Sequence, residues 1–359
     1  MIRRKPRLHP SRRSFLAGSA VFAMGLTFAS RDVFSEEEKA LTFYNWDTYI
    51  GPDTLSEFKD ATGISVKMDL FADNDELFAK LRGGNPGYDV IVPTNDYVER
   101  MIAANMLMQL DHDKIPNFAN IEKRFQDATF DPGRKYSLPY MWGTIGIGYI
   151  KSEVEEAPDS WKWLYDSDTY AGRMSLLGDA QNVIQAALKY LGYSLNTKDP
   201  AQIKQAEELI IAQKPRIKVF ADDNGQDLLA SGEVVLAQEW NGDILQVMAE
   251  DDELNYAAPK EGGLLWQDCL AIPVGAPHPE NAHKFLNFIN EPKVNAEIAK
   301  TIQFATPNAA ALKLMPDSYT KNPVIFPPEK ALDKYEAGLY QGEEVTRLYD
   351  EAWTRINAA

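Results

Sequence analysis

Acidic residues and tryptophans recur where the predicted strands of this chain end. In an open α/β sheet, ligands lie beyond the carboxyl ends of the strands, so residues at these positions can meet along one edge of the sheet. A carboxylate beside an indole ring suits an organic ammonium group, because a cation over an aromatic ring gains about 0.5–2 kcal/mol and charge-assisted hydrogen bonds are about twice as strong as neutral ones. The residues at five such positions are Trp46, Asp47, Thr48 and Tyr49; Thr94, Asn95, Asp96 and Tyr97; Asp179 and Asn182; Trp240 and Asp243; and Trp266 and Asp268.

Each position has a simpler explanation when it is taken alone. An acid after a strand is commonly the N-cap of the next helix, which applies to Asp96, Asp179 and Asp243. A tryptophan near a strand end commonly packs into the core. The repetition favours a site, because five strand ends carry an acid and three of them pair it with a tryptophan. Trp266 and Asp268 are two residues apart and therefore lie on the same face of their strand. The sequence predicts a binding site for a cation.

The sequence shows no arrangement typical of a catalytic centre. No G-x-S-x-G motif occurs, and "RGGNPG" lacks the Lys-Ser/Thr of a phosphate-binding loop. Cys269 follows Asp268 on a strand and is predicted to be a small core residue on the opposite face. Paired carboxylates can hydrolyse glycosides, but no spacing singles out a pair. No two histidines have the i, i+4 spacing of a helical zinc site; they are His9, His112, His278 and His283. We predict no catalytic residue, no metal and no cofactor, and an exported enzyme stays an alternative.

Composition limits the partners. The chain has 359 residues, enough for about two domains, and 45% of them are hydrophobic. The first 29 residues hold six basic residues and no acid, so the remainder, with 31 basic and 53 acidic residues, carries a formal charge of −22. Nucleic acid and anionic lipid would be repelled by this charge. We therefore predict a soluble monomer with no nucleic-acid partner. A single cysteine excludes an internal disulfide.

The N-terminus is typical of an export signal. Basic residues precede an apolar run from Phe15 to Ala29, which is shorter than the roughly 20 residues that span a bilayer. "SRRSFLAG" resembles the twin-arginine signal S-R-R-x-F-L, and "TFA" before Ser30 offers a cleavage site. Residues 1–29 are therefore predicted to direct the protein to the periplasm by the twin-arginine route. An ordinary signal peptide or an uncleaved anchor is the alternative.

Strand and helix patterns alternate after residue 35. The first run predicts a mainly parallel sheet. It consists of the strand "LTFYN", a helix, the strand "ISVKMDLF", the helix "NDELFAKLR", the strand "YDVIVP" and a helix from Asn95 to Ala103. Thr54 and Glu57 have the spacing of a capping box, and Gly63 should end that helix. Pro139 followed by "WGTIGIGY" predicts an extended crossover and then a new strand. A second α/β run follows, and "GGLLWQDCLAIP" returns toward the first lobe. Two lobes joined by more than one strand should form a hinge and a cleft.

The chain resembles the spermidine/putrescine-binding proteins, the periplasmic receptors of ABC-type polyamine importers. The resemblance runs from about Leu41 to Asn357 and is carried by "FYNWDTYI", "YDVIVPTNDYV", "YSLPYMWGTIGIGY", "EWNGD", "EGGLLWQDCLAIP" and "ATPNAAA". It implies a type II periplasmic-binding-protein fold, in which two α/β lobes close on the ligand. We predict residues 40–143 and 268–308 for lobe 1, and residues 144–267 and 309–359 for lobe 2.

The resemblance also implies a set of ligand contacts. Asp268 would hold an amine, and the tryptophans would enclose the methylene chain. The implied contacts are Trp46, Asp47, Tyr49, Thr94, Asp179, Asn182, Trp240, Asp243, Trp266, Asp268, Phe304 and Gln341.

Four positions depart from the family pattern. Asp47 precedes Thr48, whereas the family has the hydroxyl residue first. Asp96 stands where an aromatic residue is frequent, Asn182 where a glutamate is found, and Phe304 where a tyrosine is frequent. Asp96 is therefore added to the predicted site. The resemblance predicts delivery of a polyamine to an ABC permease. The alternatives are another small cationic or non-amine solute, or a role as the partner of a sensor.

Overall fold

The computed structural model describes residues 37–222 and 224–359. The predicted export signal lies outside this part of the chain. The first half of the described chain contains β1 (Ala40–Asn45), α1 (Thr54–Thr62), β2 (Ser65–Leu70), α2 (Asn74–Arg82), β3 (Val90–Ile91) and α3 (Asn95–Ala103). β1 pairs in parallel with both β2 and β3, so the predicted β-α-β-α-β unit is confirmed.

Short 3-10 turns at His112–Lys114, Pro116–Asn120 and Lys123–Phe125 lead into β4 (Ser137–Ile150). The second half contains α4 (Lys162–Tyr165), β5 (Met174–Leu177), α5 (Ala180–Tyr190), α6 (Pro200–Gln213), β6 (Val219–Ala221), α7 (Gly225–Ala230), β7 (Leu236–Trp240), α8 (Asn241–Met248), β8 (Leu254–Ala257), β9 (Leu264–Ala271), α9 (Pro279–Ile289), α10 (Pro292–Ile302), α11 (Ala309–Leu312), α12 (Asp317–Thr320), α13 (Glu329–Leu332), β10 (Glu336–Ala337) and α14 (Glu343–Ala358). Two further 3-10 turns lie at Lys151–Glu153 and Lys214–Arg216.

The described strands form one path in the order β2-β1-β3-β9-β4-β7-β5-β6, with β10 beside β9 and β8 beside β4. β4 joins the two halves, because Ser137–Thr144 pairs with β9 and Ile145–Tyr149 pairs with β7, both antiparallel. The predicted extended crossover is therefore the first part of β4, and the predicted new strand is its continuation, so only their separation is wrong. A register shift between Pro139 and Met141 accommodates the proline, which cannot donate a hydrogen bond to a neighbouring strand. The lobe limits given above stay a prediction.

Two local predictions in the first half need correction. The Thr54/Glu57 capping box does not form, because Thr54 is already helical and Asp53 occupies the N-cap without a side-chain bond. Gly63 ends α1 as predicted, with φ of 75°. The strand predicted from "YDVIVP" shrinks to Val90–Ile91. Just before it, the buried Asp89 side chain accepts hydrogen bonds from the backbone N–H groups of Thr42 (2.8 Å) and His278 (2.7 Å), and after it Pro93 has no N–H to donate.

Cys269 is fully buried among Tyr44, Ile91 and other apolar side chains, while Trp266 belongs to a different cluster. The prediction that Cys269 is a core residue on the face opposite Trp266 is confirmed. Within residues 37–222 and 224–359, no helix combines the length and the apolar composition needed to cross a bilayer.

Gly143 allows β4 and β9 to approach where Trp266 lies. A Cβ atom on Gly143 would come within 2.6 Å of Trp266 Cζ2 and closer still to Asn241 Oδ1, which accepts the N–H of Thr144. We expect Gly143→Ala to lower the free energy of unfolding by about 1–3 kcal/mol through overpacking, as measured by urea denaturation. Gly83→Ala is the control, because no atom lies within 4 Å of its added Cβ. Equal urea midpoints for wild type and Gly143→Ala would show that this contact is not limiting.

Candidate ligand-binding site

A cavity of about 260 Å³ lies where the two halves of the sheet meet. Twelve of the thirteen predicted contacts line it: Trp46, Asp47, Tyr49, Thr94, Asp96, Asp179, Asn182, Trp240, Asp243, Trp266, Asp268 and Phe304. Gln341 does not line this cavity. Its side-chain amide instead donates to Asn196 Oδ1 and to the carbonyl oxygen of Leu339, both at 3.3 Å, and it lines a smaller neighbouring cavity. The structure therefore brings together residues that span more than 250 positions in the sequence.

Carboxylates dominate the charge of the cavity. In the described part of the chain, nine aspartates line it: Asp47, Asp73, Asp75, Asp96, Asp179, Asp222, Asp243, Asp268 and Asp350. No lysine, arginine or histidine is among the described residues that line it. The described residues also contain no cluster of three or more His, Cys, Asp or Glu side chains arranged to hold a metal ion. The cavity is strongly electronegative, which suits a positively charged ligand.

Asp268 lies on β9 and is 7% exposed. Thr94, at the start of α3, donates from Oγ1 to Asp268 Oδ1 at 2.9 Å. Asn74 holds Thr94 in turn, because its Nδ2 donates to Thr94 Oγ1 (2.8 Å) and its Oδ1 accepts the N–H of Thr94 (3.1 Å). Burial raises the pKa of Asp268 to about 7, and the charge of Asp96 adds to this, while the hydroxyls of Thr94 and Tyr49 act in the opposite direction. The Asn74–Thr94 pair thus fixes the orientation of a buried acid.

Asp179 is both a helix cap and a cavity residue. Its Oδ1 accepts the N–H of Asn182 at 2.7 Å, so the N-cap explanation is correct for α5. Burial raises the pKa of Asp179 to about 7; the Asn182 N–H opposes this rise, and the charges of Asp75, Asp96 and Asp73 reinforce it. The N-cap and binding explanations are therefore compatible at this position.

Asp96 lies in the first turn of α3 and faces α5. Gln181 Nε2 donates to Asp96 Oδ2 at 2.7 Å, which links the two helices. Burial raises the pKa of Asp96, while the Gln181 bond lowers it. Asp243 lies in the first turn of α8, and its Oδ1 accepts from Gln246 Nε2 at 3.3 Å.

Aromatic rings form the walls between the acids. Trp46 donates from Nε1 to the carbonyl oxygen of Val92 at 2.9 Å, which fixes its ring beside Phe71. Trp266 packs edge-to-face against Phe304 at 5.0 Å, and Phe304 packs against Tyr49 at 5.5 Å. Phe304 has no hydroxyl, so its own ring contributes only carbon to this wall. Rings held in this way can cover methylene groups that lie between ammonium groups.

Several lining residues were missed from the sequence. Asp73, Asn74 and Asp75 follow β2, where the strand-end rule applies, but the sequence pattern predicts only the helix "NDELFAKLR" from Asn74 onward. Asp350 and Trp353 come from α14, three residues apart and hence on one helix face. Nothing local in the sequence indicates that this C-terminal face meets the other acids.

Comparison with known proteins places this geometry in a family. Residues 53–327 match the family described as bacterial extracellular solute-binding protein. The chain is 36% identical over 340 residues to the putrescine-binding periplasmic protein SpuD of Pseudomonas aeruginosa, covering 90% of this chain and 93% of that protein. It is 34% identical over 350 residues to the spermidine/putrescine-binding periplasmic protein of Escherichia coli, covering 96% and 98%.

A solved protein of Listeria monocytogenes, described as a spermidine/putrescine ABC transporter, superimposes with a TM-score of 0.86 at 32% identity, covering 89% of this chain and 99% of that one. The predicted type II periplasmic-binding-protein fold, with two α/β lobes around a cleft, is confirmed. The chain belongs to the bacterial extracellular solute-binding proteins, and it is similar over nearly its whole length to their spermidine/putrescine-binding members.

Proposed function

We propose that this protein captures a linear polyamine of the putrescine or spermidine type and delivers it to an ABC import permease. One observation carries the proposal: among the described residues, nine carboxylates and four tryptophans line one cavity of about 260 Å³, and no lysine, arginine or histidine is found with them. Relatives that cover the same length are periplasmic proteins named for binding putrescine or spermidine.

Electrostatics explain why such a cavity would hold ammonium groups. Burying a carboxylate without a counter-charge is unfavourable, and the raised pKa values of Asp268 and Asp179 show this penalty in the free protein. An ammonium group beside either acid would favour its charged form and would donate charge-assisted hydrogen bonds. The indole faces of Trp46, Trp240 and Trp266 would cover the methylene groups between the charges.

The proposal includes closure around the ligand without catalysis. In the proposed lobe division, Asp268 and Thr94 belong to lobe 1 and Asp179 and Trp240 to lobe 2, so a ligand that contacts both lobes would favour the closed arrangement by its differential affinity. We assign these side chains to binding and none of them to a reaction.

Location forms a separate part of the proposal. The relatives are periplasmic, and "SRRSFLAG" supports export through the twin-arginine route. We expect the double change Arg12→Lys and Arg13→Lys to leave the precursor in the cytoplasm, as measured by cell fractionation. Normal export of this variant would favour an ordinary signal peptide.

A ligand panel tests the function directly. The mature protein is melted with putrescine, cadaverine, spermidine and spermine, and in parallel with arginine, γ-aminobutyrate and a neutral sugar. A ligand at about 100 times its Kd stabilises the folded state by about 2.7 kcal/mol, which raises the Tm by several degrees. We expect this rise for linear amines. A rise with the neutral sugar or an amino acid alone would overturn the polyamine assignment and favour another cargo.

A further inference from the structure

A second, smaller cavity of about 50 Å³ adjoins the main one. We call it the rear chamber. The two cavities share six lining residues: Asp75, Asp96, Tyr97, Ala180, Gln181 and Asp350. The hydrogen bond from Gln181 Nε2 to Asp96 Oδ2, 2.7 Å long, joins two residues that line both cavities. A second hydrogen bond between shared lining residues, from the hydroxyl of Tyr97 to Asp75 Oδ1, is 2.6 Å long. The rear chamber therefore adjoins the main cavity, and side-chain contacts lie at the boundary.

A residue that lines the rear chamber carries a buried acceptor that has no partner among the described residues. Gln185 is 4% exposed, lines the rear chamber and does not line the main cavity. Its Oε1 atom accepts no hydrogen bond from the described residues. Buried polar atoms are almost always paired, so an unpaired one in a cavity wall calls for an explanation, such as a bound water or ion. A ligand that brings an N–H donor into the rear chamber would satisfy this atom.

Spacing along α5 fits a chain of amines. Gln181 and Gln185 are four residues apart, so they lie on one face of the helix and about one turn, 5.4 Å, from each other. Successive nitrogens of a linear polyamine are separated by three or four methylene groups, which is a similar length. An ammonium group near Asp96 would thus place the next nitrogen of the same chain near Gln185.

The charge of the rear chamber also favours a cation. Of the described residues that line it, Asp75, Asp96 and Asp350 are acidic and one, Arg100, is basic. The Arg100 guanidinium packs over the ring of Phe78 at 4.1 Å and pairs with Glu343 at 3.3 Å and with Asp75 at 3.5 Å. Its charge is therefore compensated, and the chamber remains acidic.

We propose that the rear chamber receives the terminal ammonium group of a linear amine that is too long for the main cavity. Gln185 Oε1 would accept a hydrogen bond from this ammonium group, and the Gln181 side chain would move aside to admit it. The inference rests on the proposed function and adds a site that determines ligand length. A cavity needs about 10–15 Å³ to hold one water, so about 50 Å³ is ample for an ammonium group and an adjoining methylene.

Titration calorimetry with putrescine and spermidine tests this inference. Gln185→Leu keeps the approximate size of the side chain and removes the acceptor. We expect it to raise the ratio of the spermidine Kd to the putrescine Kd by about ten-fold, the usual effect of losing one hydrogen bond to a charged group. Gln185→Glu should change the same ratio in the opposite direction, because it adds a negative charge. Gln205→Leu, at an exposed position on α6, is the control for the glutamine-to-leucine change.

The outcomes separate the two proposals. If wild type binds neither amine, the proposed function fails and the rear chamber has no role. If wild type binds putrescine but both Gln185 variants keep the wild-type ratio, the rear chamber is not a ligand site and the proposed function stands. Gln185→Glu replaces only the side-chain NH₂ group with an oxygen and keeps the shape of the side chain. It therefore provides a result even if Gln185→Leu does not fold.

Discussion

Asp268→Asn is expected to weaken polyamine binding by at least about 30-fold. Removing one partner of a buried, hydrogen-bonded charge pair costs about 2–5 kcal/mol, and each 1.4 kcal/mol is a factor of ten in Kd. The variant keeps the size of the side chain, and its Oδ1 can still accept from Thr94 Oγ1, which donates to Asp268 at 2.9 Å. The loss therefore reports the missing charge. Titration calorimetry with putrescine measures it.

The variant should remain folded. Burial raises the pKa of Asp268 to about 7, so the free protein near neutral pH already holds the neutral acid for much of the time. A neutral amide at this position removes the penalty for a buried carboxylate. We expect the thermal unfolding midpoint of the ligand-free variant to equal or exceed that of wild type. Asp60→Asn, at an exposed position on α1, is the matched control and should leave the Kd within two-fold of wild type. A Kd for Asp268→Asn within the same range would remove this residue from the site.

The strand-end rule located most of this site because the signal is local. The alternation of strand and helix is visible in the sequence, and the carboxyl ends of strands on each side meet at one cleft. Asp268 and Trp266 lie on β9, and Asp179 follows β5, as the pattern predicted.

The residues that the sequence did not reveal are those placed by packing over long distances. Asp350 and Trp353 reach the cavity because α14 packs beside α5 and α6, and the amphipathic pattern of α14 does not say which helices it meets. Gln341 was assigned by resemblance, but its amide bonds to Asn196 and turns toward the rear chamber. At Pro139, the local rule that proline interrupts a strand gave way to pairing along the whole of β4.

Polyamine affinity is expected to fall steeply as the pH is lowered from 8 to 6. Burial raises the pKa of both Asp268 and Asp179 to about 7 in the free protein. An ammonium group binds the ionised acid, whereas an alkyl amine with a pKa near 10 stays charged throughout this range. Each of the two acids reduces the affinity by about ten-fold between pH 8 and pH 6, so the combined loss approaches about 100-fold. Titration calorimetry at several pH values measures the change.

Proton release gives a second measurement of the same effect. At pH 7 each acid is about half protonated in the free protein, so binding should release about one proton in total. The observed binding enthalpy should then depend on the ionisation enthalpy of the buffer with a slope close to −1, because the buffer takes up the released proton. Neighbouring carboxylates also raise the pKa values of the two acids. Asp96, whose own pKa is raised by burial, acts on both Asp268 and Asp179, and the charges of Asp73 and Asp75 act on Asp179.

Stability of the ligand-free protein should show the opposite pH dependence. Because the folded pKa values of Asp268 and Asp179 lie above the unfolded value of about 3.9, the folded state binds more protons than the unfolded state between these limits. The contribution of these acids to stability therefore rises as the pH falls from 8 toward 4, while affinity falls. Asp268→Asn should reduce proton release at pH 7 by about one half and flatten both profiles. If the affinity does not change between pH 6 and pH 8 and the binding enthalpy does not depend on the buffer, the cavity acids are already ionised in the ligand-free protein.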